Sequence, residues 1–521
     1  PRVDALGQAA RRDFPGKAKD AAELAADVPG QEAFFAAFAP AELDEFGGLP
    51  GSGEKLGLKK TGFFHVERHG ERWLLVDPAG NAFFQLGVCC VAPHNDATLT
   101  RGRESAFAWL PEREGKFAAA WHPEPFWNGQ AVSFYTANLI RKFGDADPDK
   151  HLERMIGRLR RAGFNSHGAW SRVSPVSRRL NWPYTAFLPI EQWVLGQPML
   201  PGVRGMFDPF APATRAAVEK RFAEVLPQAA DDPLLIGYFL ENEQGLEDLP
   251  RAVAALSGEH ACKQRLAAWL EKKYGDVAAF NRAWGLSAPA FAEVAARPLP
   301  LKTPAAFADM GEFAGLFLDA YHGMLRELFD KYDRNHMLIG GRWQPGTANS
   351  EILCRSAGKY MDVISVNYYA YGIDEAFVRR LYRWSGEKPM LWSEFHYGSG
   401  RDSGLPGRMD VGSQEARGLA YRNYVEGAAA LGFVVGTQWF QCIDEPLTGR
   451  YFEEYNGENY NIGLFSVVDR PYREVLTAMA ATHARIYDVW LNGAAPYRFE
   501  HPLFSPKARA AAARRAVVRR V

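Results

Sequence analysis

The chain has 521 residues, 47% of them hydrophobic, and equal numbers (61 each) of Lys+Arg and Asp+Glu. That is enough apolar material for a large core, and a single α/β barrel with insertions can exceed roughly 400 residues, so length alone does not demand several domains. The balanced charge supplies no field to recruit nucleic acid or an anionic membrane, and no apolar run approaches the ~20 residues of a bilayer span. Residues 1–50 hold Ala-rich, helix-prone pieces such as 20–26, followed by punctuation at Pro50-Gly51-Ser52-Gly53. A hairpin pattern follows at 63–68 and 73–76, with turns at His69-Gly70 and Asp77-Pro78-Ala79-Gly80. Residues 1–80 therefore read as a lead-in to the main domain.

From residue 83 strand-like runs alternate with helical ones. Candidate strands are 83–91, 164–165, 184–190, 233–240, 337–340, 362–366, 389–392 and 433–439. Leu152, Met155, Ile156 and Leu159 mark one intervening amphipathic helix; Val218, Phe222 and Val225 mark another. A helical insertion occupies about 253–300, after the fourth strand. The helix carrying Phe317, Tyr321, Leu325, Leu328 and Tyr332 precedes the fifth. Eight β-then-α units in order predict a (β/α)8 TIM barrel over 81–490 with a C-terminal tail over 491–521. An open doubly wound sheet is the alternative, without the glycine-rich phosphate turn that would support it. The arginines of 507–521 read as a solvated or frayed end.

The five cysteines, Cys89, Cys90, Cys262, Cys354 and Cys442, look like small buried hydrophobes rather than a disulfide framework or metal site. The chain begins at Pro1 without a signal-like segment. A leader already removed would leave the same start, so no compartment is assigned.

Two acids fall where apolar runs end: Glu243 after the fourth strand and Glu394 after the seventh. The C-terminal end of barrel strands is where chemistry is done, and a pair of carboxylates facing one pocket is the minimal machinery for breaking a glycosidic bond. Taken singly, each is a weak signal, since Asn-Glu is a common dipeptide. The functional reading makes Glu243 the general acid and Glu394 the nucleophile, with one of Tyr368 and Tyr369 holding the latter and Trp392 flanking it. Trp439, at the end of the eighth strand, reads as a floor for a sugar ring. Asp444 and Glu445 are competing carboxylates, ranked lower because they lie in a loop beside Pro446. His94-Asn95-Asp96, His167 and His396 are strand-end candidates for a metal. They lack the HxH or HExxH spacing, and a hydrogen-bonding role near a sugar or a core position suits each better. No cofactor or metal is expected.

Ile236-Gly237-Tyr238-Phe239-Leu240-Glu241-Asn242-Glu243 resembles the acid/base strand of the clan A retaining glycoside hydrolases. Lys388-Pro389-Met390-Leu391-Trp392-Ser393-Glu394-Phe395 resembles that clan's nucleophile strand. Residues 266–285, with Trp269, Tyr274, Phe280 and Trp284, resemble a helical insert of its β-galactosidases and β-agarases. Gln438-Trp439-Phe440-Gln441 and Gly457-Glu458-Asn459-Tyr460-Asn461-Ile462-Gly463 resemble segments of its exo-β-agarase family, as do Gln414-Glu415-Ala416-Arg417 and residues 75–84.

These motifs span about 73–475. The resemblance implies that Glu243 is the acid/base, Glu394 the nucleophile and Asn242 a ligand of the sugar 2-hydroxyl. Trp439, Glu458 and Asn459 would line the subsites, and Gln441, His396 and His167 complete the expected sugar-contacting set. The expected partner is an oligosaccharide or polysaccharide, an agar-type galactan first, with a β-galactosidase on other oligosaccharides as the alternative. A non-catalytic sugar-binding barrel and a metal-dependent hydrolase are the readings from other classes. A retaining mechanism needs the two carboxyl groups about 5–5.5 Å apart, against roughly 6.5–9.5 Å for an inverting one.

Overall fold

The computed structural model describes residues 1–93, 96–122 and 130–500. Eight parallel strands form one sheet: β1 (Gln85–Val88), β2 (Ser166–His167), β3 (Tyr184–Phe187), β4 (Leu235–Phe239), β5 (Met337–Leu338), β6 (Ile364–Val366), β7 (Met390–Phe395) and β8 (Val434–Trp439). Each pairs with its chain neighbour, and β8 returns to β1 with Gly436 opposite Gln85 and Trp439 opposite Val88. Between β5 and β6 the link is a bridge from Trp343 to Val366, together with N–H bonds from Asp362 and Val363 to the Leu338 carbonyl. The eight-stranded sheet closes on itself, so the barrel itself has no open edge.

Helices cover the outside: α1 (Phe134–Phe143), α2 (Pro148–Arg161), α3 (Pro212–Val225), α4 (Pro304–Tyr332), α5 (Glu351–Tyr360), α6 (Glu375–Trp384), α7 (Gln414–Ala430) and α8 (Arg473–His483). Their start signals are local. Asp147 accepts from the N–H groups of Asp149 and Lys150, Pro148 opens α2, and Ser413 caps α7 through Ala416 N–H. The expected insertion after β4 is four short helices, Leu249–Ala255, Ala261–Tyr274, Val277–Trp284 and Phe291–Ala296. The predicted hairpin is present as His65–His69 paired with Arg72–Val76. Among the described residues no helix is long and apolar enough to cross a membrane. His94 and Asn95, and the arginine-rich tail from 507, lie outside the described residues.

The second strand lies two residues later than its apolar residues suggest. After α2, Gly163 takes a left-handed conformation (φ +88°) and Phe164 N–H returns to the Leu159 carbonyl. Phe164 and Asn165 are thus spent on ending the helix. Asn165 Oδ1 then accepts Leu86 N–H at 2.8 Å, and ladder pairing begins at Ser166.

One buried charge cluster ties the N-terminal segment to the barrel. Asp469, in the loop between β8 and α8, accepts from Arg158 Nη1 (2.8 Å), Lys142 Nζ (2.9 Å) and Tyr135 OH (2.8 Å). Gln31 Oε1 accepts from Lys142 (2.7 Å) and Arg158 (3.2 Å). Burial alone would push the Asp469 carboxyl up, but the two cations outweigh it and hold it well below the usual carboxylate range.

Candidate active site

Alternation along β6 decides which side chains enter the barrel. Ser365, Asn367 and Tyr369 point inward, while Tyr368 packs outward against Phe377, Trp392 and Tyr424. Of the two candidate phenols it is therefore Tyr369 that reaches Glu394, donating to Oε1 at 2.7 Å. Burial and the Glu394 charge hold its pKa well above the usual phenol value, so it remains a donor.

β7 shows why Glu394 faces the pocket although Trp392, two residues earlier, does not. Strict alternation would put both on one face. Against β8, Trp392 pairs with Thr437 and Phe395 with Trp439, so β7 carries one residue more than its partner. This bulge lets Trp392 and Phe395 both pack outward on Tyr424 of α7 while Glu394 turns inward.

Glu394 is 7% exposed and receives three hydrogen bonds: Tyr369 OH on Oε1, and Arg342 Nη2 (2.6 Å) and Asn367 Nδ2 (2.8 Å) on Oε2. Burial lifts its carboxyl above the ordinary value and the neighbouring Glu243 charge adds to the lift, while Arg342 and Tyr369 pull it back. Glu243 lies four residues past β4 in a left-handed conformation (φ +52°). Its Oε1 accepts from Asn367 Nδ2 (2.9 Å), its Oε2 from Gln344 Nε2 (2.9 Å), and Arg204 Nη2 stands 3.7 Å from Oε2. One nitrogen, Asn367 Nδ2, thus contacts both acids, and its 2.9 and 2.8 Å contacts cap the separation of those two oxygens at 5.7 Å. That limit on the two contacting oxygens is compatible with the carboxyl spacing of about 5–5.5 Å that a covalent intermediate needs.

Asn242 completes the cluster. Its Oδ1 contacts Arg342 Nε (2.9 Å) and Asn367 Nδ2 (3.2 Å), both donors, so the amide orientation is determined and Nδ2 is the atom with hydrogen-bonding capacity left. Arg342 is fully buried. Nη1 donates to the Ser393 carbonyl (2.9 Å) and Gln438 Oε1 (3.4 Å), and the guanidinium lies between the rings of Phe239 (4.8 Å) and Trp170 (4.6 Å). Removing the phenol hydroxyl by Tyr369→Phe should lower kcat about 10- to 100-fold with the fold intact. A hydrogen bond to a charged group is worth about 1.5–3 kcal/mol. Steady-state kinetics alongside a denaturation midpoint checks it.

The other expected sugar contacts divide. His396 borders the site: its ring meets Tyr369 edge-on at 4.8 Å, Nδ1 bonds the Phe440 carbonyl at 2.8 Å, and burial pushes its pKa well below the ordinary value. Glu458 is paired with Arg408, which lies over the Tyr369 ring, and with Arg450 at 2.7 Å. Its carboxylate is thus occupied in the wall of the site.

Trp439 is not a floor. Gln438 is the inward residue of that strand, bonded to Arg342 and Ala169 N–H. Trp439, next in the alternation, is fully buried against Phe395 and Tyr421 with its indole N–H on the Ile462 carbonyl (3.0 Å). Trp392 is core for the same reason. His167 is fully buried edge-on to Trp182, with neither ring nitrogen hydrogen-bonded and its pKa pushed down to about 3 by burial. Among the described residues, the Gln441 and Asn459 side chains donate to nearby loop carbonyls, those of Ile443 and Leu447. Asp444 is enclosed by Asn461, Ile462 N–H, Gly463 N–H and Tyr472, and Glu445 is paired with Arg450. Neither competes with Glu394.

The candidates from the sequence do not include Arg342, Asn367, Gln344, Arg204 or Trp170. Arg342 and Asn367 carry a usable signal, since they lie just past predicted strands five and six.

No family model matches the chain. β-Agarase B from Vibrio sp. (strain JT0107) is 29% identical over 541 residues, covering 93% of this chain and 54% of that protein. β-Agarase A from the same strain is 28% identical over 539 residues, covering 93% and 52%. The chain spans about half the length of these curated relatives. Among solved structures, PfGH50B superimposes with a TM-score of 0.83 at 27% identity, covering 94% of this chain and 75% of that one. The solved structure of an exo-β-agarase gives 0.81 at 27%, with 94% and 73% covered. The agarase AgWH50C gives 0.82 at 26%, with the same coverage. Over nearly all of its length, in sequence and in fold, this chain is similar to the β-agarases.

Proposed function

We propose that this protein is a retaining glycoside hydrolase cleaving β-galactosidic bonds of an agar-type galactan or its oligosaccharides. The observation that carries the reading is the shared Asn367 amide, which contacts both Glu243 and Glu394, a proximity compatible with the carboxyl spacing of a retaining pair. Similarity to β-agarases over 93% of the chain supports the substrate class.

In the first step Glu394 Oε1 or Oε2 attacks the anomeric carbon as the glycosidic C–O bond breaks, and Glu243 gives its proton to the departing oxygen. In the second step Glu243 takes a proton from water, whose oxygen displaces Glu394 from the anomeric carbon. Two inversions give net retention. Arg342, Asn367 and Tyr369 stabilise the carboxylate both before attack and on departure. Asn242 Nδ2 donates to the sugar hydroxyl beside the reacting carbon.

The test is product analysis on agarose, porphyran, carrageenan and aryl β-galactosides, with the anomeric configuration of the first product followed by NMR. Release of the α-anomer from a β-linked substrate would refute retention, and turnover of none of these sugars would refute the glycosidase reading.

The pH profile follows from the site. The attacking carboxylate must be ionised, and its pKa is raised from an ordinary value of 4.5. The acid limb of kcat/KM should therefore lie above pH 4.5, activity being lost as pH falls through it. Arg342→Ala removes the cation that opposes the shift, so the limb should move to higher pH while kcat falls. A limb that stays in place would show that Arg342 does not tune this acid.

A further inference from the structure

We infer that Trp170 is the aromatic floor of the site, the surface on which the sugar ring attached to Glu394 stacks. The inference rests on the glycosidase reading above.

Six tryptophans are fully or almost fully buried: Trp182, Trp284, Trp343, Trp392, Trp439 and Trp490. Trp170 is 42% exposed, and it adopts a left-handed backbone (φ +57°) unusual for a bulky residue. Exposed apolar area and a disfavoured backbone both cost free energy, and core packing calls for neither. Such an outlier beside reactive groups points to function.

The surrounding structure holds the residue there. Gly168 N–H bonds the Val88 carbonyl (2.7 Å), Ala169 N–H bonds Gln438 Oε1 (3.2 Å), and the Ala169 carbonyl accepts Cys90 N–H (2.9 Å). A side chain at 168 would meet Cys89 Sγ and Gln438 Oε1, each 2.8 Å from its Cβ, so glycine is required for the close approach.

The ring itself is set by neighbours from three different strand ends. It covers the Arg342 guanidinium at 4.6 Å and contacts Phe187 at 5.2 Å and Phe440 at 6.1 Å. The Arg342 guanidinium in turn donates to Glu394 Oε2 at 2.6 Å, so the exposed indole is one guanidinium away from the attacking carboxylate. A galacto-configured ring presents a contiguous patch of C–H bonds on one face, and an indole is the side chain best suited to receive it. With Trp439 turned outward, Trp170 supplies the surface that Trp439 was expected to provide.

The experiment compares Trp170→Phe and Trp170→Ala with the wild type, on agarose oligosaccharides and on an aryl β-galactoside, with denaturation midpoints recorded for each. A floor predicts a KM raised roughly 10-fold or more for Ala and only a few-fold for Phe, with kcat much less affected. In an inactive Glu394→Gln background, oligosaccharide binding measured by calorimetry should weaken in the same order.

A residue that merely packs on Arg342 predicts the opposite split, with kcat reduced, KM unchanged and sugar binding intact. That result, with the wild type active, overturns this inference alone. A wild type that neither binds nor hydrolyses these sugars overturns the glycosidase reading and this inference with it.

Discussion

Glu394→Ala is expected to lose turnover by on the order of 10⁴- to 10⁶-fold, the scale seen when a covalent nucleophile is removed. The variant leaves a cavity beside the anomeric carbon, lined by the donors that held the carboxylate: Arg342 Nη2, Asn367 Nδ2 and Tyr369 OH. A small anion fits that environment. Added azide should therefore restore reaction on an aryl β-galactoside and give the α-configured glycosyl azide, since one displacement now replaces two. Rescue distinguishes a missing nucleophile from a damaged fold. Full activity without azide, or a β-configured azide adduct, would remove Glu394 from the role.

The largest expected effect on stability lies elsewhere, at Asp469→Asn. The substitution keeps the shape and removes the charge, leaving Lys142 and Arg158 buried without a counter-ion. Breaking such a cluster from one side costs about 3–5 kcal/mol. The urea midpoint should drop accordingly, and Lys142→Met in the same chain should recover part of the loss by deleting one stranded cation. The native carboxyl is held below its ordinary value. Its contribution is therefore complete above the ordinary Asp pKa of ~3.9 and declines as pH falls from there through its own lower value. The Asn variant should lack that part of the acid dependence. A midpoint equal to the wild type would show that the cluster is neutral to folding.

How far the chain could be read without coordinates depended on whether the determinant was local. Strand and helix order came from periodicity, because eight buried runs alternate with amphipathic helices, and the barrel follows from that order. Glu243 and Glu394 were legible because an acid after an apolar run is a local pattern. Which neighbours point inward was not. Trp392 and Trp439 sit beside candidate site residues in sequence, yet alternation sends both into the shell between strands and α7. Glu394 escapes the same fate only through a one-residue bulge that no composition signals. Arg342 and Asn367 are ordinary strand-end residues until β4, β5, β6 and β7 bring them together. Trp170 follows the second strand, which was itself misplaced by two residues because Asn165 resembles a strand residue and acts as a side-chain link to Leu86 N–H.

The Asn367 amide has an implication for anyone wishing to isolate the glycosylated form. Because one nitrogen serves both acids, altering position 367 would, on the proposed mechanism, disturb formation and breakdown of the adduct together. Gln344 and Arg204 touch Glu243 alone, and Tyr369 touches Glu394 alone. Editing the Gln344 side, paired with a substrate whose departing group needs no protonation, offers independent control of the hydrolytic half. The trapped species would accumulate behind an intact first half-reaction.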